Sequence, residues 1–395
     1  MKVIEEVKTV PVHSLGISQI IVYGSLFYVF ALIKSSIAAK LNLSLEIVAL
    51  TVSLSLFIHV VTSIHVGVLI DKYGGMRVMS IGLLVGALGL FTLGLSDTLY
   101  SFIFSMFLVG IAFSLASYNI AFSTAIQLDD KNSRHHITVI TFYGAIASSL
   151  VWLIVGKLLP DFGLEITCYF LSLCLLLMGV HFFVSSFFKN TGKISKKIET
   201  FVSLKFSQLI PRDKKIIIFL MALGFIQYLI FATTALSLVD YFSIKFEVYY
   251  LAVVLASIYG PFQLVGRLIE MGLANKFDAR NTGFIAAIVM PCSLILLFSS
   301  NYSICILSMA LFGMSNGLLT VTNGYLPNLF FEPSIIGRIK GYIGAPTALG
   351  MSCAPFISGI FSENLNALLV LMILLSLIPI VSILLLKREQ QRAFI

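Results

Sequence analysis

Arg267 stands in Val253–Leu273, a stretch apolar enough to cross a bilayer. A charged side chain at the centre of such a helix costs at least ~2.5 kcal/mol, so its presence points to a task. The planar fork of a guanidinium holds a carboxylate through two parallel hydrogen bonds inside a water-filled cavity. Counting from Gly272 at helical rise puts Arg267 ~7–8 Å inside one end of its span. The structural alternative is an ion pair with Glu270, three residues on and on the same helical face. Lys34, near the other end of the first span, either draws in an anion or snorkels to the headgroups. His59 precedes Gly67 by eight residues, ~12 Å along a helix and near mid-bilayer. An imidazole there can pass a proton or serve as an interhelical hydrogen-bonder. His59 and Glu270 are the titratable groups placed for proton coupling.

Two further spans are dense in polar side chains. The fourth carries Ser114, Ser117, Tyr118, Asn119, Ser123, Thr124 and Gln127; the tenth carries Ser315, Asn316, Thr320, Thr322, Asn323 and Tyr325. A lipid-facing surface has no use for them. They either line a cavity at the midplane or pack helices together. Tyr118, Asn119, Asn316 and Asn323 are the candidates for contact with a solute.

The elements that hold these residues follow from composition. The chain has 395 residues, of which 58% are hydrophobic and only 11% charged, with a mean hydropathy of +1.02. Soluble domains carry about 25% charged residues, so lipid must be this chain's solvent. The net charge of +8 sits in short gaps between apolar runs, which excludes a nucleic-acid surface. The five cysteines lie inside apolar runs, and neither a disulfide framework nor a metal site is expected. No cleavable signal peptide is evident, so the first span is expected to act as its own insertion signal.

A membrane helix needs about 20 apolar residues. Runs of that kind start near Gly16, Leu45, Met76, Leu99, Ile137, Ile166, Ile216, Val248, Thr282, Ser303, Arg338 and Leu365, predicting twelve spans. Lys and Arg are about five times as frequent in one set of gaps as in the other. That bias predicts both termini on the cytoplasmic side. A basic, polar stretch at 189–215 divides the chain into an N-terminal bundle, 1–188, and a C-terminal bundle, 216–395. The halves echo each other: Gly110, Ser117 and Asn119 match the offsets of Gly313, Thr320 and Thr322. Internal symmetry across a basic linker is a mark of repeat-built carriers.

The segment Gly67-Val68-Leu69-Ile70-Asp71-Lys72-Tyr73-Gly74-Gly75-Met76-Arg77 resembles the signature loop of the major facilitator superfamily, G-x-L-x-D-[RK]-x-G followed by basic residues. It departs at Gly75 and Met76, which leaves Arg77 as the late positive charge. The resemblance covers the whole chain and implies an all-α membrane fold of twelve helices in two pseudo-symmetric six-helix bundles. It also implies a gating role for Gly67, Asp71, Lys72, Gly74 and Arg77, with Asp71 docking near the N-terminal end of the eleventh span. Within the superfamily, the aromatic-rich first span and its lysine look like the monocarboxylate-porter branch. Lys34 and Arg267 stand where that branch has a lysine and an arginine. Gln263 stands where it has an aspartate four residues before the arginine, and is carried as a solute-binding candidate.

Neither a P-loop nor a hydrolase or zinc-protease motif is present, so no enzyme activity, ATP use or cofactor is expected. The expected function is secondary transport of a small organic solute, a carboxylate-type anion coupled to protons, by a monomer in a bacterial inner membrane. The alternatives are an exporter of a larger metabolite, siderophore or drug, and a membrane solute sensor that does not transport.

Overall fold

In hydrocarbon every backbone N–H and C=O must find its partner within its own segment, which leaves helices as the solution for an apolar chain of this kind. The structure, a computed structural model, describes residues 11–128, 132–188, 209–273, 278–331 and 333–391. Among the described residues, helix is the only regular secondary structure.

Helix α1 runs in two pieces, Val12–Tyr28 and Phe30–Leu41, bent by 41°. Gly24–Tyr28 forms a π-helical turn just before the bend. Helices α2 (Leu45–Tyr73) and α3 (Gly75–Gly94) follow. Helix α4 (Leu99–Leu128) breaks at Ser117, whose backbone is extended. Next comes an apolar helical run of 53 residues, His135–Phe187. At 1.5 Å per residue it would be ~80 Å long, against a hydrocarbon core of ~30 Å. Gly163 resolves this by taking a positive φ of 80°, open to glycine without steric cost. The run is therefore two crossings, α5 (133–162) and α6 (164–188).

The second half repeats the plan with α7 (Pro211–Phe246), α8 (Tyr249–Gly272), α9 (Ala279–Leu296), α10 (Tyr302–Leu329), α11 (Ile339–Ile360) and α12 (Leu365–Glu389). With the break at Gly163 and the bend in α1 counted this way, the described residues make twelve crossings. Side-chain caps fix several helix starts: Ser44, Thr98, Asp278, Asn301 and Asn364 each accept from a backbone N–H of the first turn. Such caps satisfy donors that would otherwise be orphaned where the chain leaves the membrane.

The two halves pack alike. A Cβ on Gly110 of α4 would lie 2.3 Å from the Ser55 carbonyl oxygen of α2, and one on Gly313 of α10 would lie 2.4 Å from the Tyr259 carbonyl oxygen of α8. In both halves a glycine lets two backbones touch, the small-residue packing that lipid-embedded helices favour. Between the halves, α2 meets α11, α5 meets α8, and α1 meets α7.

These contacts are uneven along the membrane normal. Where α1 and α7 come together, Lys34 pairs with Asp240 at 2.6 Å and donates to the Leu236 carbonyl at 2.9 Å. Where α2 and α11 meet at the same end, the Phe356 amide donates to Ser53 Oγ at 2.8 Å. A Cβ on Gly359 would lie 2.4 Å from the Ala49 Cβ. This end is sealed. Toward the other end, which carries Arg77, Arg280 and Lys340, the halves diverge around a cavity.

Candidate functional site

The cavity has a volume of about 730 Å³ and is lined by helices from both halves. It extends from the midplane to Lys340, Tyr325 and Met271, all exposed at the basic end. Its size is that of a small-molecule site.

Arg267 reaches it from α8 and is only 4% exposed. The position depends on Gly317 of α10, where a Cβ would lie 2.1 Å from the Gln263 carbonyl oxygen and 3.0 Å from the Arg267 nitrogen. The two helices are thus in backbone contact behind the arginine. Its guanidinium donates to the Thr141 carbonyl of α5, in the opposite half, and engages the Tyr118 side chain of α4. Its Nε is buried without a partner.

Gln263, Tyr118, Asn119, Asn316, Asn323 and His59 line the same cavity. Asn316 donates to the Tyr259 hydroxyl, and its Oδ1 accepts from Thr320 at 3.2 Å. Asn323 donates to Gln227 of α7. Three atoms in this group are buried without a partner: Gln263 Oε1, Asn323 Oδ1 and His59 Nδ1. The His59 ring packs edge-on to Phe113, with centroids 5.2 Å apart. No aspartate or glutamate lies among the described lining residues, whereas Arg267 and Lys340 both do. The cavity is cationic and carries spare hydrogen-bonding capacity.

Two of the sequence candidates do not join this group. Lys34 sits in the seal, paired with Asp240. Glu270, 4% exposed, turns to α9, where its Oε1 accepts from Thr282 at 3.1 Å while Oε2 has no partner. No ion pair between Arg267 and Glu270 occurs among the described residues. At the junction of α2 and α3, Gly74 has a positive φ of 84°, Lys72 lies over the Tyr73 ring, and Arg77 lies over Phe187. The surroundings of Gly67 and the side chain of Asp71 lie outside the described residues. Of the polar residues on α4 and α10, Ser114 and Ser315 are spent on interhelical or same-helix packing bonds, and Gln127 holds the Gly75 amide at 2.9 Å.

Sequence reasoning passed over Tyr23, Tyr28, Tyr228 and Tyr259, which line the cavity, and Asp240 in the seal. Tyr259 had one signal: it directly precedes Gly260-Pro261, where a helix is locally irregular. Asp240 had another, as a carboxylate in an apolar span that has to find a cation.

Compared by sequence with curated proteins, the chain matches none. Solved structures resemble it closely in fold. A nucleoside transporter, NupG, solved as a point mutant, matches with a TM-score of 0.74 at 14% identity over 95% of this chain and 98% of that one. A bacterial homolog of the human lysosomal transporter Spinster, inward-facing and unoccupied, matches with a TM-score of 0.71 at 11% identity over 98% of each chain. At these identities the likeness concerns the fold. The sequence itself matches the family model over residues 15–290, well over half its length, and the chain belongs to the Major Facilitator Superfamily.

Proposed function

We propose that the chain is a proton-coupled secondary transporter of a small organic anion of the carboxylate type, working by alternating access. The family and its fold support secondary transport by that cycle. The observation that carries the anion is Arg267: a buried cation on a cavity wall without an acidic partner among the described residues. Desolvating a charge costs several kcal/mol unless something compensates. An arriving carboxylate supplies that compensation through charge-assisted hydrogen bonds. Gln263, Tyr118, Asn119, Asn316 and Asn323 would orient the rest of the solute.

His59 and Glu270 are the proposed proton carriers. Each has a buried titratable atom without a partner, His59 at the cavity and Glu270 one turn from Arg267. Gln263 takes the place of the aspartate found in the monocarboxylate-porter-like branch, to which we assign the chain, so the proton falls to these two groups. Each elementary charge moved across the membrane is worth ~2.3 kcal/mol per 100 mV.

The excess of Lys and Arg at the open end supports cytoplasmic termini in a bacterial inner membrane, with the cavity facing inward. The segment 189–215 then joins bundles 1–188 and 216–395 on the cytoplasmic side of a monomeric carrier. The loop carrying Gly67, Asp71, Lys72, Gly74 and Arg77 would close that side in the other half of the cycle.

Uptake of labelled benzoate into proteoliposomes, with and without an imposed proton gradient, tests the reading. The gradient should accelerate uptake, and Arg267→Ala should abolish it. Undiminished carboxylate uptake by Arg267→Ala would remove arginine from the site and the anion from the proposal.

A further inference from the structure

We infer that the anion held by Arg267 carries an aromatic ring system: the solute is an arene carboxylate rather than a short aliphatic acid. This rests on the anion reading above and concerns the part of the solute that the guanidinium does not touch.

The cavity wall next to Arg267 is a continuous run of rings. Tyr118, whose side chain engages the guanidinium, stacks on Phe122 with centroids 5.2 Å apart. On its other side Tyr118 meets Tyr23 at 4.6 Å. Tyr23 in turn meets Phe113 edge-on at 5.1 Å. All four line the cavity, and Tyr228 and Tyr259 face it from the other half. A solute with its carboxylate on Arg267 has its body against Tyr118 and Tyr23.

Volume argues the same way. A dry cavity of ~150 Å³ already accommodates benzene, and this one measures about 730 Å³. An acid of two or three carbons would leave most of the aromatic wall facing water. A fused or substituted ring covers it and gains ring-on-ring contact. Such a contact is worth roughly two- to tenfold in affinity beyond the area it buries. The tyrosine hydroxyls make the wall partly polar, which suits a flat ring with an oxygen or nitrogen substituent more than a saturated chain.

The test is calorimetric titration of the purified full-length protein with four probes: acetate, naphthalenecarboxylate, its saturated counterpart decalincarboxylate, and the neutral naphthalenemethanol. Naphthalenecarboxylate should bind about tenfold tighter than decalincarboxylate and tighter still than acetate. Tyr118→Leu should bring the ratio of the two ring acids close to one, whereas Tyr118→Phe, which keeps the ring, should preserve it. Equal binding of the aromatic and saturated acids, or failure of the aromatic acid to bind, overturns the inference. Equal binding of naphthalenecarboxylate and naphthalenemethanol, unchanged by Arg267→Gln, overturns the anion reading instead and leaves an aromatic site for a neutral solute. The pattern of ratios therefore tells the two failures apart.

Discussion

Two cations on the inner surfaces of this molecule are treated in opposite ways. At the sealed end Lys34 has a carboxylate at 2.6 Å and a backbone carbonyl at 2.9 Å, both from α7 in the other half. In the cavity Arg267 has, among the described residues, the Thr141 carbonyl and the Tyr118 side chain, with Nε left over. A charge that is fully partnered by protein ties the protein to itself. One left short of a counterion can be completed from outside. On the proposed reading the same helix-pair architecture provides a latch at one end and a receptor at the other, and the difference lies in whether an acid sits across from the base.

The contrast is broken most severely by removing the unpaired charge. Arg267→Gln should weaken carboxylate binding roughly 30-fold or more, as expected for losing one partner of a buried hydrogen-bonded charge pair. Titration of the purified protein with benzoate reads this directly, and a loss smaller than about threefold would mean the guanidinium is structural.

Next in size is a steric change at the seal. Gly359→Leu puts a side chain where α2 and α11 touch, with the first carbon already 2.4 Å from Ala49. Overpacking costs ~1–3 kcal/mol, enough to shift the balance toward a parted seal by five- to a hundredfold or so. Spin-label distances between the sealed ends of α2 and α11 should lengthen; unchanged distances would show that this contact does not set the balance.

A smaller effect is expected from the latch. Lys34 and Asp240 are partly exposed, so the pair is worth ~0.2–1 kcal/mol. Asp240→Asn should shift the same distances by a factor of about two to five in population, and the exchange Lys34→Asp with Asp240→Lys should restore them. If Asp240→Asn behaves as wild type while the exchange does not, the pair is incidental.

The smallest effect serves as a control at the basic end. Asp278 accepts from the Arg280 amide at 2.8 Å and binds its guanidinium, all within the first turn of α9. The Arg280 side chain holds the Asp278 carboxyl below the usual carboxylate range. A depressed carboxylate stabilises the fold above its unfolded-state value, and that contribution fades as pH falls through the folded one. Asp278→Ala should cost ~1 kcal/mol of stability near neutral pH, less in acid, and leave the seal distances alone, since the pair bridges no halves.

Much of the fold was legible because lipid imposes a length on every element. Apolar runs and short polar gaps locate the helices, and the actual starts at Ser133 and Pro211 precede the expected ones by a few residues because helices continue past the apolar core. Arg267 stood out because charge in such a run is costly. The aromatic wall did not stand out, because rings are equally at home against lipid. On α4, Phe104 is 54% exposed and Phe113 only 1%, and nothing in their local sequence separates them. Pairings across the halves, such as Lys34 with Asp240, join residues that share no sequence neighbourhood, and so does the bond within one half between Asn323 and Gln227. They become visible only once the helices are placed face to face.

The bend in α1 has a consequence for watching this protein work. The chain contains a single tryptophan, Trp152, fully buried on α5. Its indole N–H donates at 3.0 Å to the Tyr28 carbonyl, the last residue of the π turn, and its ring meets Tyr28 edge-on at 5.8 Å. A straightening of α1 that moves Tyr28 relative to α5 would stretch or release that bond and change the polarity felt by the indole. The wild-type chain therefore carries its own optical gauge at the bend, and its emission colour and quenching can follow the first helix without a label.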